Sequence, residues 1–304
     1  MSSRELIVLG SSSQVPTRYR NHNAYFLRWD DVGLLFDPGE GTQRQMIYAG
    51  LAASQIHHVL ITHFHGDHAL GLAGLVQRIS LDRVEQRVHV HYPASGQVYF
   101  DRLRHATIFV DNSKIEAHPI REEGTIWEEE NFRIEARRLD HGVETFGYRL
   151  KERDGRRMSP ERLAAAGIRG PAVKEILSRG SLQVEGREVR LEEVSDARPG
   201  QVFAFVMDTR PCPGADRLAA NADMLVCEAT YQDSERREAW EHQHMTATQA
   251  AEIAQKAGAR LLVLTHFSQR YPDVEGHLHE ARQVFPEVVA AADLKHFSVP
   301  RRLN

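Results

Sequence analysis

His63-Phe64-His65-Gly66-Asp67-His68 follows the apolar run Ile56–Thr62 (IHHVLIT) and precedes Ala69–Ser80, whose apolar residues recur at helical spacing. The hexapeptide therefore sits on a strand-to-helix loop. Three imidazoles and a carboxylate within six residues are costly to bury unless each finds a polar partner. On a loop held by a rigid scaffold they can face ions instead. His63 and His65 point one way and Asp67 and His68 the other, so one segment can serve two adjacent cations. Imidazole and carboxylate suit Zn²⁺, and carboxylates also admit Mn²⁺.

A metal pair needs further ligands, and three more polar residues follow apolar strands. His141 comes after Phe132–Leu139, Asp208 after Phe203–Met207, and His266 after Leu261–Thr265. A lone His or Asp at a strand end is ordinarily a turn or capping residue. Three in a chain that already holds HxHxDH point to a dinuclear site. Of the 17 histidines, His57, His58, His89, His91, His105, His118, His242, His277, His279 and His296 fall outside this pattern and read as packing, surface or capping residues.

Outward from the motif, Glu5–Gly10, Ala24–Arg28, Gly33–Asp37, Val88–Tyr92 and Met224–Cys227 read as further strands. Thr42–Ala49, Gly96–His105, Ala247–Ala257 and Leu278–Phe285 read as helices. Hairpins alternate with single strands and helices, without the steady βαβ rhythm of a doubly wound sheet. Lys151–Asp196 stands apart: it is rich in Arg, Gly and Glu and has no aromatic residue. Its segment SPERLAAAGIRGPAVKEIL contains two short helical pieces broken at Gly167–Pro171. We read 151–196 as an inserted arm on a single domain spanning 1–304.

The 304 residues, 41% hydrophobic and 26% charged, describe a globular enzyme with ample core material. No stretch approaches the roughly 20 apolar residues that cross a bilayer, and the N-terminal apolar segment is too short for a signal peptide. Cys212 and Cys227 are too few for a disulfide framework. Reduced thiols and a cytoplasmic location are expected. A formal charge of −4 argues only weakly against a nucleic-acid partner, because basic patches can be local.

The ordering of these motifs resembles the metallo-β-lactamase superfamily, and four further segments resemble its tRNase Z (ribonuclease Z) group. Pro16-Thr17-Arg18-Tyr19-Arg20-Asn21 is similar to the group's PxKxRN loop, with Arg18 in place of Lys. Asp37-Pro38-Gly39-Glu40-Gly41-Thr42-Gln43 is similar to its DxGEGTQ segment. Cys227-Glu228-Ala229-Thr230 resembles its HEAT motif, with Cys for His, and His244-Met245-Thr246 its HST motif, with Met for Ser. Gly167–Leu177 resembles the Gly-Pro-containing tip of the flexible arm that grips transfer RNA.

The resemblance implies an αββα sandwich of two mixed β-sheets flanked by helices. It implies two Zn²⁺ per subunit, Mn²⁺ or another divalent ion being an alternative. His63, His65 and His141 would bind one ion, Asp67, His68 and His266 the other, and Asp208 both. The implied activity is an endoribonuclease that removes the 3′ trailer of precursor tRNA. In it Asp67 orients the attacking water and accepts its proton, and His244, oriented by Glu228, protonates the leaving oxygen. Asp37 and Thr265 are candidate partners for ligand imidazoles. Arg18, Arg20, Arg169 and Lys174 would meet RNA phosphates, and a homodimer would let one subunit's arm serve the other's active site. Another hydrolase of the same fold, acting on a small phosphodiester, sulfate ester or lactone, is the alternative. A non-catalytic RNA-binding protein is a further one, which the intact ligand pattern opposes.

Overall fold

Where the sequence alternates, one face is buried. Phe132–Arg138 (FRIEARR) sends Phe132, Ile134 and Ala136 into the core and its charged side chains outward. Val202–Val206 (VFAFV) is buried throughout. Its Phe203 and Phe205 enter the layer between two sheets, while Val202, Ala204 and Val206 lie beneath helices.

The computed structural model describes residues 4–302. Among them, one seven-stranded sheet runs in the order His296–Ser298, Arg4–Gly10, Ala24–Trp29, Val32–Phe36, His58–Leu60, Val88–Pro93, Ile115–Ile120. The other runs Val288–Ala290, Leu262–Thr265, Met224–Glu228, Val202–Val206, Phe146–Glu152, Phe132–Arg138, Gly124–Glu128. Both sheets are mixed, with parallel pairing from Val32–Phe36 to Ile115–Ile120 and from Val202–Val206 to Val288–Ala290. Their inner faces meet in a continuous apolar layer, in which the rings of Phe36 and Phe205 lie 4.6 Å apart. Thr42–Tyr48, Leu72–Leu81 and Gln97–Arg104 cover the outer face of the first sheet. Pro213–Ala219, Ala247–Ala257 and Glu275–Val284 cover that of the second. This is the αββα architecture implied by the resemblance.

Several boundaries differ from expectation. The strand expected over 56–62 is reduced to His58–Leu60, since the chain must leave the sheet before His63. The single helix expected over 69–80 divides into Gly66–Ala69 and Leu72–Leu81. At the division Gly71 meets Gly39 so closely that a Cβ on Gly71 would stand 2.0 Å from the Gly39 carbonyl oxygen. Ile115–Ile120, Gly124–Glu128 and Phe146–Glu152 are strands whose polar residues obscure their period. Phe146–Glu152 is nonetheless central: it pairs with both Phe132–Arg138 and Val202–Val206.

The segment read as an arm begins and ends in a two-stranded ladder, Gly155–Met158 with Ser195–Arg198. The two helical pieces stand where the sequence places them, at Pro160–Ala165 and Pro171–Arg179. The Ser159 hydroxyl caps the first by accepting from the Arg162 N–H, and Pro171 opens the second. A hairpin, Ser181–Val184 with Arg187–Arg190, follows. Leu163, Ile168, Ile176, Val189, Leu191 and Val194 bury one another in a small core of their own. Among the described residues no helix is long and apolar enough to cross a membrane. Cys212 and Cys227 are both free thiols.

Candidate metal centre

Strand ends from both sheets deliver the site. His63–His68 follows His58–Leu60 out of the first sheet, while Asp208, Glu228 and His266 stand at or just beyond the ends of parallel strands in the second. Asp208 (φ 29°) and His266 (φ 60°) adopt left-handed backbone conformations that cost a non-glycine residue energy and must be held by their surroundings.

Two groups of donor atoms converge. His63, His65, His141 and Asp208 form one, and Asp67, His68 and His266 the other, with the donors of each group within 4.8 Å of one another. Asp208 lies between them. Its Oδ2 is 3.6 Å from His63 Nε2 and 3.8 Å from His141 Nε2. Its Oδ1 is 3.3 Å from His68 Nε2 and 3.2 Å from His266 Nε2. Asp67 Oδ2 stands 3.3 Å from those same two nitrogens. Donors around a tetrahedral ion with bonds of about 2.1 Å sit roughly 3.4 Å apart, so the spacing fits. The buried atoms His68 Nε2 and Asp208 Oδ1 have no hydrogen-bond partner, which is costly unless an ion satisfies them.

The opposite nitrogens are fixed by a chain of acceptors. His68 Nδ1 faces Asp37 Oδ2 at 2.8 Å, and His141 Nδ1 faces the Gln243 carbonyl at 3.2 Å. The Thr62 hydroxyl donates to Asp37 and so can accept from His63 Nδ1, 3.0 Å away. The Thr230 hydroxyl donates to Glu228 Oε2 and so can accept from His266 Nδ1, 2.8 Å away. Each arrangement leaves an Nε2 lone pair facing the centre. His65 presents Nδ1 instead, 2.9 Å from His63 Nε2 and 3.3 Å from His141 Nε2.

Burial and charge pull these groups in different directions. Burial, then neighbouring imidazoles, pushes His63 and His65 below the ordinary range, and burial does the same to His141. All three are thus neutral and ready to ligate. Burial favours protonation of Asp67 and Asp208, yet the surrounding imidazoles prevail and hold both carboxyls below the usual range. Against burial, Asp208, Asp67 and Asp37 raise His68 well above its ordinary value. The centre is electrostatically short of positive charge, as a cation site must be.

Glu228 and His244 adjoin this centre. Glu228 is fully buried, and its Oε1 lies 2.9 Å from His244 Nδ1. His244 also comes close enough to Asp208 and His266 to form a further donor group with them, but its Nδ1 is engaged by Glu228. The cavity above, ≈ 410 Å³, is lined by His65, Asp67, Asp208 and His244 and also by His242 and Arg270. His242, read from sequence as packing or surface, lies on its wall. Arg270 lies over the Tyr231 ring, 4.8 Å from its centroid. Neither residue carries a sequence motif, although Arg270 is only four positions beyond His266.

The remaining expectations separate. Thr265 does not touch a ligand imidazole, because its hydroxyl is paired with Tyr25. Thr62, Thr230 and the Gln243 carbonyl occupy such positions instead. Arg20 does not line the cavity but donates to the Ser268 and Tyr271 carbonyl oxygens, so it braces the loop whose Ser268, Gln269 and Arg270 form part of the cavity wall. Arg18, Arg169 and Lys174 are exposed, outside the cavity lining and in no ion pair among the described residues. Cys227 and Met245, at the two positions that depart from the family motifs, are buried among apolar side chains away from the donors.

Comparison with known proteins adds a family. Residues 17–147 match the metallo-beta-lactamase superfamily model, and 191–267 a beta-lactamase superfamily domain. Ribonuclease Z of Nocardia farcinica is 57% identical, with 99% of this chain and all of that protein covered. Ribonuclease Z of Chlamydia muridarum is 49% identical, with both chains covered in full. The solved structure of human tRNase Z, short form, has a TM-score of 0.72 and 26% identity, covering 98% of this chain and all of its own. With relatives this similar along its whole length, the chain belongs to the ribonuclease Z family of the metallo-β-lactamase superfamily.

Proposed function

We infer that this chain is a metal-dependent endoribonuclease that removes the 3′ trailer from precursor tRNA, leaving a 3′-hydroxyl on the tRNA and a 5′-phosphate on the trailer. The observation that carries this reading is full-length identity of 49–57% to ribonuclease Z proteins, combined with two convergent donor groups bridged by Asp208.

His63, His65 and His141 would hold one cation and Asp67, His68 and His266 a second, with one Asp208 oxygen for each. The nitrogen-and-oxygen donor set suits Zn²⁺. Bound cations supply Lewis-acid charge and a water that reacts near neutral pH. Asp67, whose Oδ2 stands 3.3 Å from His68 Nε2 and His266 Nε2, would orient the attacking water and accept its proton. His244, held through Nδ1 by Glu228, presents its other nitrogen to the leaving 3′-oxygen and donates a proton there.

Exposed Arg18, three residues past the cavity-lining Val15, would meet the RNA end. Arg169 and Lys174 would meet phosphates along the tRNA body. As the family resemblance implies, the arm of 151–196 would serve the active site of a partner in a homodimer. The cytoplasm, where precursor tRNA and reduced thiols coexist, is the fitting location.

Mapping the ends produced from a precursor tRNA tests the reading. A chelator-sensitive cut after the discriminator nucleotide, leaving a 3′-hydroxyl and lost in Asp67→Ala, supports it. Intact RNA alongside hydrolysis of a small phosphodiester overturns the tRNA assignment.

A further inference from the structure

Far from the catalytic loop, four histidines gather on the inner face of the first sheet. Period-two alternation in VHVHYP and IEAHPI puts His89 with His91 and Glu116 with His118 on one face. Parallel pairing then sets His58 opposite His89, His89 opposite Glu116, and His91 opposite His118. These positions share the face of Leu60 and Ile120, which is otherwise filled by apolar side chains. The Trp127 ring, from the second sheet, packs against all four imidazoles, closest to His89 at 4.3 Å. His63 lies five residues beyond His58, past the end of the strand at Leu60.

Such a layer is an expensive place for imidazoles, and hydrogen bonding among them settles only part of the cost. His58 Nδ1 is 3.1 Å from His91 Nε2, and His89 Nδ1 is 3.0 Å from His118 Nε2. His91 Nδ1 stays buried without a partner. The outer trio has the geometry of a ligand set. Glu116 Oε2 lies 3.4 Å from His89 Nδ1, and donors of His89, Glu116 and His118 all lie within 4.8 Å of one another. Ligand atoms around a tetrahedral Zn²⁺ are separated by roughly 3.4 Å. All three side chains are partly exposed, which gives an ion an entry path and leaves one coordination position to water.

We propose that His89, Glu116 and His118 form a second, non-catalytic site for a transition-metal ion of the Zn²⁺ class, with His58 and His91 packed behind it. The ion clips Ile115–Ile120, the edge strand of the first sheet, to its neighbour Val88–Pro93. Its role is therefore to stabilise that edge. Arg87, which pairs with Glu116 Oε1, leaves Oε2 available.

The test is the metal content of the full-length protein after equilibrium dialysis against micromolar Zn²⁺. Wild type should retain one ion more per chain than His89→Gln/His118→Gln, and the comparison subtracts whatever the catalytic centre holds. Precursor cleavage should be unchanged in the double variant, and its melting temperature should no longer rise with added Zn²⁺. Equal ion counts in the two proteins overturn the proposal. Should the double variant fail to fold, carbethoxylation of wild type mapped by peptide replaces it. Zn²⁺ should slow modification of His89 and His118, and unchanged rates at both residues overturn the site.

Discussion

His244 Nδ1 lies 2.9 Å from Oε1 of a Glu228 carboxylate that is wholly buried. The same carboxylate accepts from the backbone N–H groups of Thr209, Thr230 and Met245 and from the Thr230 hydroxyl. Burial favours the neutral acid, but the charge and hydrogen bond of His244 outweigh it and hold Glu228 below the ordinary carboxylate range. In return, and against burial, Glu228 and Asp208 raise His244 to about 9. The imidazole is therefore cationic at neutral pH, with its orientation fixed.

A group whose pKa is raised acts as an acid below that value and fails above it. Turnover should fall on the alkaline side as pH rises through about 9. In Glu228→Gln the limb should move to lower pH, because the charge that raised His244 is gone. His244→Ala should lower kcat by about 10²–10⁴-fold and remove the limb. Single-turnover cleavage across pH checks all three, and an unmoved limb in Glu228→Gln would reduce that residue to a structural role.

Asp37 holds His68 Nδ1 and also accepts from the Thr62 N–H and hydroxyl. Asp37→Asn removes the charge that orients the ligand while keeping its shape. Metal affinity should drop about 10–100-fold. Competition with a graded series of chelators measures this, and activity should return at high added Zn²⁺.

A Cβ on Gly39 would stand 2.1 Å from the Asp67 carbonyl oxygen and 2.8 Å from that of Asn23. Gly39→Ala must therefore push the loop that carries Asp67. We expect a loss of about 1–3 kcal/mol in stability, together with weaker metal binding. Thermal melting of the chelated protein and metal titration separate the two effects.

Arg169 and Lys174 are exposed cations on the arm. Replacing both with Ala should raise KM for precursor tRNA and leave hydrolysis of a small phosphodiester unchanged. The salt dependence of RNA binding should become shallower, by about 1 in slope for each phosphate that is no longer neutralised. An unchanged KM would remove these residues from the interface.

The chemistry was legible wherever ligands lay close in sequence or directly after apolar strands. His63, His65, Asp67 and His68 declare themselves as one motif, and Asp208 and His266 each end an apolar run. Thr62 and Thr230 were not legible, because a hydroxyl that relays a hydrogen bond has no spacing of its own. Arg20 misled for a related reason: its charge suggests a phosphate, but carbonyl oxygens 248 and 251 residues away accept from its Nη2. The strands Ile115–Ile120 and Gly124–Glu128 were hidden by His118, Glu116 and Glu128, polar groups on strands at the sandwich edge.

By itself the sequence determined which residues can ligate, which runs are apolar, and where two helices begin in the inserted segment. These depend on local composition and on periods of 2 and 3.6 residues. Only the tertiary structure decided that Asp208 turns one oxygen to each donor group, and that Glu228 lies under His244. It alone brought His58, His89, His91 and His118 around Trp127. Such relationships follow from strand register and sheet-on-sheet packing, which join residues tens to hundreds of positions apart and leave no period along the chain.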